Sequence, residues 1–420
     1  MKIVILGAGV VGVAAAWELS RRGHEVTVIE REPGAGLLTS FANGAQVTVS
    51  EAVPWASPGS LRLALGWLGR RDAPFRLRLQ ADPSQWSWLV RFLACCTHSA
   101  FERNAPVMVG LAALSRARLE AIRGESGIRY DALQRGVMRV FSDKAAAHEE
   151  AEHLQHLMDA HDIEVRRLDG AGCVEAEPAL QDAVGSGRVV AGLWAPGDET
   201  GDAHAFAVEL SRAAEAAGVR FRYGETVTDL LRRGERVRGV ATDRDDYLAD
   251  AVVVALGLDS VTLLRSVGLQ LPIYPMKGYS ATVPVGGSNL APTVSVTDQA
   301  GRFVVSRLGD RVRVAGKADI VGYDRSIDPV RSQDVVNDLF GLYPNVGDRS
   351  RAEVWTGLRP MTPSGVPLIG RTEMEGLWLD TGHGSLGWTF ACGSASLLAD
   401  LMERRKPAVE PAPFDPLRRM

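Results

Sequence analysis

Lys2-Ile-Val-Ile-Leu6-Gly7-Ala8-Gly9-Val10-Val11-Gly12, answered by Glu25-Val-Thr-Val-Ile-Glu30, is the stretch whose reading decides the fold. The β-branched run 2–6 suits a strand buried on both faces. Ala14, Ala15, Ala16 and Leu19 then give a helix that stops at Gly23, and residues 25–30 form a second strand. In such a βαβ unit Gly7 makes the tight turn, Gly9 lets a pyrophosphate approach the main chain, and Gly12 lets helix pack on strand. The free N–H groups at Val10 and Val11 and the helix dipole favour the phosphate charge. Glu30 stands 30 − 12 = 18 residues after Gly12, where a carboxylate accepts from both ribose hydroxyls and repels a 2′-phosphate. The stretch is expected to bind a dinucleotide.

Spacing alone does not separate NAD from FAD. Arg31-Glu32-Pro33-Gly34 runs into Thr39-Ser40-Phe41-Ala42-Asn43-Gly44-Ala45-Gln46, a small, polar loop where a nicotinamide fold usually starts another helix. Such a loop suits the remainder of an extended flavin.

A chain of 420 residues is too long for one core, so two domains are expected. The charge, 47 − 51 = −4, leaves no footprint for nucleic acid. Cys95, Cys96, Cys173 and Cys392 form no CxxC pair and no zinc spacing, and read as reduced thiols of a cytosolic protein. Lys2 and the apolar run to Trp17 imitate a signal peptide, but three glycines interrupt the run and Glu18 and Arg21 follow directly. No window offers about 20 uncharged apolar residues, so no transmembrane helix is expected.

Residues 61–105, with Trp67, Trp86, Trp88, Arg70, Arg71, Arg76 and Arg78, read mainly as helix. Two readings stand: a surface that touches a membrane, or helices that bury Trp over a substrate domain and leave Arg solvated. Asp198-Glu-Thr-Gly-Asp202 precedes an amphipathic helix over 203–217 and reads as capping chemistry, not a metal site. Runs at 219–223, 226–231, 237–242 and 247–255 read as a small meander that returns to the parallel sheet. From Leu271 to Ala352, strand-like runs alternate with turns, as in an antiparallel sheet flooring a pocket.

The opening 58 residues, with Gly34, Thr39-Ser40, Ala42-Asn43, Gln46 and Pro54-Trp55-Ala56, resemble the small-subunit type of bacterial D-amino acid dehydrogenase. That type sits within the wider family of FAD-dependent amino-acid oxidases and glycine or sarcosine oxidases, and the likeness runs over nearly the whole chain. It implies an α/β fold: a Rossmann-like FAD-binding domain of the glutathione-reductase type, with parallel sheet and β-meander, and an α+β substrate domain on an antiparallel sheet. The expected division is 1–60, 198–262 and 353–420 for the FAD domain, and 61–197 and 263–352 for the substrate domain. The resemblance also sets Val227 against the adenine, and Ala255 and Gly257 beside FAD at the end of a strand. One departure is Gly44-Ala45, where many relatives have Ala-Gly, and it bears on the loop's contacts with FAD.

Pro275-Met276-Lys277-Gly278-Tyr279-Ser280 and Gly357-Leu358-Arg359-Pro360 resemble the family's substrate segments, with Met276 where Leu or Val is common. Arg359 is the expected carboxylate-binding residue, since a planar guanidinium holds a planar carboxylate by two parallel hydrogen bonds. The plainer reading pairs it with an internal acid, and Arg307 is the reserve candidate. Tyr279 is expected to donate to the same carboxylate, Tyr274 shapes the wall or the core, and Lys277 lies either near the flavin or on the surface. Gly382, His383, Gly384, Leu386, Gly387, Trp388 and Thr389 lead into a helix whose N–H groups would face the flavin's pyrimidine end. His383 packs on the ring or acts as a general base.

The resemblance implies hydride transfer from the α-carbon of a D-amino acid to FAD, giving a 2-oxo acid and ammonia. Electrons would pass to a quinone or the respiratory chain, at the inner face of the membrane. Rival readings are a D-proline or cis-4-hydroxy-D-proline dehydrogenase, an oxygen-using oxidase, a non-catalytic flavin subunit and an NAD-linked dehydrogenase. Residue types alone do not set the enantiomer.

Overall fold

Strand β1 (Lys2–Leu6) runs through the middle of a six-stranded sheet, and its apolar residues are buried on both faces for two separate reasons. Ile3 and Ile5 pack with helix α1 (Val10–Arg21) and the C-terminal helix Gly387–Met402. Val4 and Leu6 pack with Leu230, Val237 and Val240 of a three-stranded meander. The computed structural model describes residues 1–67, 73–285 and 290–418, without the side chains of 61–65.

The sheet runs Leu368–Arg371, Leu377–Thr381, Ala251–Val254, β1, β2 (Glu25–Glu30), Arg220–Tyr223. Only its first strand is antiparallel. The four runs expected as one meander therefore sort differently. Arg220–Tyr223 edges the parallel sheet, while Val227–Arg233, Arg236–Thr242 and Asp246–Leu248 make the meander. The last run divides before Ala251, where the Asp250 carboxylate turns back to accept from the Lys2 amide at 2.8 Å.

The second sheet has nine strands, with Glu353–Met361, Tyr274–Pro284, Arg311–Ile320, Phe303–Leu308 and Ser295–Asp298 in that order, continuing through Val137–Phe141, Ala191–Ala195 and Arg166–Asp169. It is mixed rather than wholly antiparallel: Ser295–Asp298 runs parallel to Val137–Phe141, and Phe75–Leu77 runs parallel to Arg311–Ile320. Glu353–Met361, read from sequence as part of the nucleotide half, pairs instead along Tyr274–Pro284, setting Met276 opposite Arg359. Helix Pro329–Leu342 interrupts the run expected to be all strand. Asp328 caps it, proline starts it, and Val335, Val336, Leu339 and Leu342 are buried at helical spacing.

Residues 58–126 hold the helices Pro58–Trp67, Pro83–Cys95 and His98–Ser126; Arg70 and Arg71 lie outside the described residues. Trp88 is buried and donates to the Met361 carbonyl at 2.7 Å, whereas Trp86 is exposed. No helix among the described residues is long and apolar enough to cross a membrane. Asp202 caps the helix Ala203–Ala216 through the amides of His204 and Ala205.

Candidate active site

Between the sheets lies a cavity of about 1950 Å³, walled by the loop after β2, the meander, both pocket-facing helix starts and the face of the larger sheet. Gly7 adopts φ +101°, and a Cβ there would stand 2.7 Å from the Ala255 carbonyl oxygen. A Cβ on Gly12 would stand 1.9 Å from the Gly7 oxygen, so only glycine lets α1 start this close to β1. Gly7, Gly9, Val10 and Val11 line the cavity, and Gly12 sits behind them.

Asp82, Thr97, Asp143, Asp169, Asp202 and Asp328 each cap a helix with a side-chain oxygen. The two long helices that begin at the cavity, after Gly9 and after Leu386, have no side-chain cap. Apart from Val10 N–H, their first amides have no side-chain cap and suit a ligand such as a pyrophosphate or an electron-accepting ring. Val10 N–H meanwhile reaches the Ser40 hydroxyl at 3.2 Å.

Glu30 lines the cavity and accepts from the amides of Ala8 at 2.7 Å and Glu32 at 2.9 Å. Burial pushes its pKa up, against those two hydrogen bonds. Arg31 pairs with Asp259 at 2.8 Å. Thr39 donates to the Leu358 carbonyl at 3.0 Å, tying the cofactor loop to the strand of Arg359. Gln46 donates to Ser295 and Thr297, and Val227, Ala255 and Gly257 complete that wall. The Gly44-Ala45 departure acquires a geometry: Ala45, not Gly44, takes the left-handed φ of +63°, and the Asn43 side chain accepts from its amide at 3.0 Å.

At the far end Gly384, Leu386, Gly387, Trp388 and Thr389 line the cavity, but Gly382 does not; its φ is +80° and a Cβ would meet Thr362 at 2.8 Å. The Trp388 indole packs on Tyr130 and Phe206 and donates to the Gly201 carbonyl at 3.1 Å, so the ring belongs to the core. His383 is buried, with Nε2 2.8 Å from Ser394 Oγ and 3.2 Å from an Asp380 oxygen, and Ser394 also donates to Asp380. That nitrogen is committed to holding the loop. Asp380 lines the cavity and its Oδ2 is buried without a partner, a waiting acceptor for a ligand hydroxyl. The free amides, the glycine cradle, Glu30 and this orphaned oxygen all suit FAD.

On the sheet side, Arg359 is ringed by protein yet reaches the cavity. Its guanidinium crosses Gly278, where a Cβ would stand 2.4 Å from Nη2 and 2.6 Å from Cζ. It donates to the Lys317 carbonyl at 3.1 Å and lies 5.7 Å from the centre of the Trp55 ring. No ion pair to Arg359 exists among the described residues, so the internal-acid reading is not met. Burial pushes its pKa down to about 10, opposed by Asp319, and the fork remains charged at neutral pH.

Other expected site residues stand elsewhere. Lys277 does not line the cavity; it is buried on the opposite face, donating to Asp324 at 3.1 Å and to the Ser326 carbonyl. Tyr279 touches the wall, but its phenol donates to Asp319 at 3.2 Å and its ring packs among Val335, Val336 and Leu339. The cause is strand periodicity: Met276 and Gly278 face the cavity, so Lys277 turns the other way to Asp324 and Ser326 and the Tyr279 ring packs with the buried face of the helix Pro329–Leu342. Tyr274 donates to Asp82 at 2.8 Å within a separate cluster, and Arg307 bonds the Gly309 carbonyl away from the cavity.

A family model described as FAD dependent oxidoreductase matches residues 2–401. The chain belongs to that family. It is 48% identical over 410 residues to a D-amino acid dehydrogenase of Paramagnetospirillum magneticum, covering 97% of this chain and 96% of the relative. A D-amino acid dehydrogenase of Dechloromonas aromatica is 45% identical over 419 residues, covering 98% and 99%. Among solved structures, glycine oxidase from Geobacillus kaustophilus superposes with TM-score 0.75 at 24% identity over 100% of this chain and 99% of that one. L-proline dehydrogenase from P. horikoshii gives 0.78 at 18% over 99% and 97%. These two share the fold.

In this FAD-dependent oxidoreductase one cavity thus carries residues that suit FAD at one end and a charged fork at the other. Sequence reasoning assigned no part to Trp55, Lys317 or Asp380. Trp55 and Lys317 act on Arg359 from far along the chain, which leaves no local signal, whereas Asp380 is tied to His383 three residues on.

Proposed function

We propose that this enzyme oxidises D-amino acids to 2-oxo acids and ammonia and passes the electrons to a quinone or another acceptor that is not oxygen. The observation that carries the reading is Arg359, a guanidinium in the cavity with no ion-pair partner among the described residues. A substrate α-carboxylate supplies the missing partner through two parallel hydrogen bonds. FAD, when bound, supplies the two-electron acceptor for the α-hydride. The chain's own work is orientation: Gly278 clears the path of the guanidinium, the Lys317 carbonyl and the Trp55 ring fix its plane, and the sheet holds Gly278 and Lys317 on paired strands. His383 keeps the glycine loop in place rather than moving a proton. The imino acid then hydrolyses in water.

The enantiomer is supported by the names of the two bacterial relatives. For the acceptor, Leu79, Trp86, Val90 and Leu93 are exposed and lie among the residues lining the cavity. Such an apolar rim suits peripheral contact with the inner face of the membrane, where quinones reside. Anaerobic bleaching of the yellow protein by matched D- and L-amino acids tests the substrate. Quinone reduction against peroxide release tests the acceptor. Bleaching by the L-series alone, or stoichiometric peroxide, overturns the corresponding half.

A further inference from the structure

Glu51 has no part in that mechanism, yet it lines the same cavity as Arg359. Its Oε1 is buried with no hydrogen-bond partner, and the Thr297 hydroxyl lies beside the carboxylate. An orphaned carboxylate oxygen at a cavity wall is costly unless a ligand meets it.

The surroundings define the ligand's charge. Asp198 is buried nearby and accepts from Thr48, Val49 and Ser50. Arg139, also buried, lies 3.0 Å from Glu150 and is shared between Glu150 and Glu51. Arg116 stands 4.0 Å from Asp198. Three carboxylates thus face two guanidinia, and the carboxylate left over is that of Glu51, which lines the cavity and whose Oε1 is buried without a partner. Burial pushes the Glu51 carboxyl up, and Arg139 pulls it back.

Length follows from the sheet. Arg359 binds the carbonyl of Lys317 on Arg311–Ile320, and Thr297 lies two strands further on, past Phe303–Leu308. Thr297 pairs through Val304 with Ala315, two residues short of Lys317, so at about 4.8 Å per strand and about 3.4 Å per residue the two anchoring points stand roughly 12 Å apart. From the α-carboxylate to the terminal nitrogen of lysine is about six bonds of roughly 1.5 Å, or about 8 Å in zigzag, before hydrogen bonds at each end. A methyl or isopropyl side chain stops short.

We propose that Glu51 is a specificity-determining residue that receives the cationic end of a long side chain while Arg359 holds the α-carboxylate, so the preferred substrates are D-amino acids of the lysine or arginine class. This rests on the function proposed above.

The test compares D-lysine with D-norleucine, which have the same length and differ in charge. The wild-type enzyme is expected to favour D-lysine in kcat/KM, and Glu51→Gln to lower that ratio about 30-fold or more, chiefly through KM. Glu51→Asp should restore part of it. A wild-type preference for norleucine, or an equal effect of Glu51→Gln on both substrates, overturns the proposal. Should the variants not fold, the wild-type holoenzyme serves: 6-aminohexanoate should bind more tightly than hexanoate, and equal affinity is the overturning result. If no D-amino acid bleaches the flavin, the proposed function falls first. Bleaching by D-norleucine but not D-lysine defeats the Glu51 assignment alone.

Discussion

Arg331 and Arg359 are both drawn toward the charge of Asp319, from opposite sides of one sheet, and their fates differ. Arg331 donates to both Asp319 oxygens and to the carbonyls of Ala73 and Pro74, and Arg76 also pairs with that carboxylate. Arg359 has one backbone carbonyl and an aromatic ring. A guanidinium whose donors are spent on the protein is part of the scaffold. One that is buried with donors to spare is a binding site, because desolvating an unpaired charge is tolerated only where a partner arrives.

The largest break in that comparison is Arg359→Met. Losing the fork should cost roughly 3 to 5 kcal/mol of transition-state binding, a fall in kcat/KM of about two to nearly four orders of magnitude, with flavin retained. Unaltered steady-state kinetics would remove the assignment. Arg331→Met should act on the other side of the ledger. Asp319 keeps Arg76 and Tyr279 but loses its buried partner, so denaturant unfolding should show about 3 kcal/mol lost, with KM of the folded fraction little changed. If Arg331→Met raised KM as strongly as Arg359→Met, the two arginines would not be distinct in kind.

Gly278→Ala sharpens the contrast without touching a charge. Its Cβ would stand 2.4 Å from Arg359 Nη2, so the guanidinium must shift. KM should rise by about 1 to 3 kcal/mol in binding terms while stability changes less; a variant with wild-type KM would show that the fork does not lie over that glycine when substrate binds. Smallest is Ala45→Gly, which relieves a left-handed alanine at φ +63°. It should raise the melting temperature of the holoenzyme by the equivalent of about 1 kcal/mol, and a lower melting temperature would mean the alanine methyl packs for more than the strain costs.

Two errors of reading share one cause. Lys277 and Tyr279 lie beside Gly278 in a hexapeptide that resembles the family's, which sets Tyr279 at the substrate carboxylate and leaves Lys277 near the flavin or on the surface. In the sheet the alternation sends Met276 and Gly278 to the cavity and Lys277 to Asp324. Helix Pro329–Leu342 was missed for a related reason: it is embedded between strands, and its apolar spacing was subsumed in their alternation. The strand Glu353–Met361 was given to the wrong half because nothing local records which sheet a run will join.

Residues 2–30 carried their own reading, since glycine spacing, a β-branched run and a terminal acid act through neighbouring backbone, whose geometry is local. The chemistry of Arg359 was legible too, because a guanidinium is a guanidinium in any fold. Its vacancy was not: that depends on there being no ion-pair partner among the described residues, on Gly278 from an adjacent strand and on Trp55 from a loop some 300 residues away. Glu51 and Arg139 likewise became one subsite only when the folded sheet brought them together. Contacts of that kind have no period along the chain, so only tertiary structure could decide them.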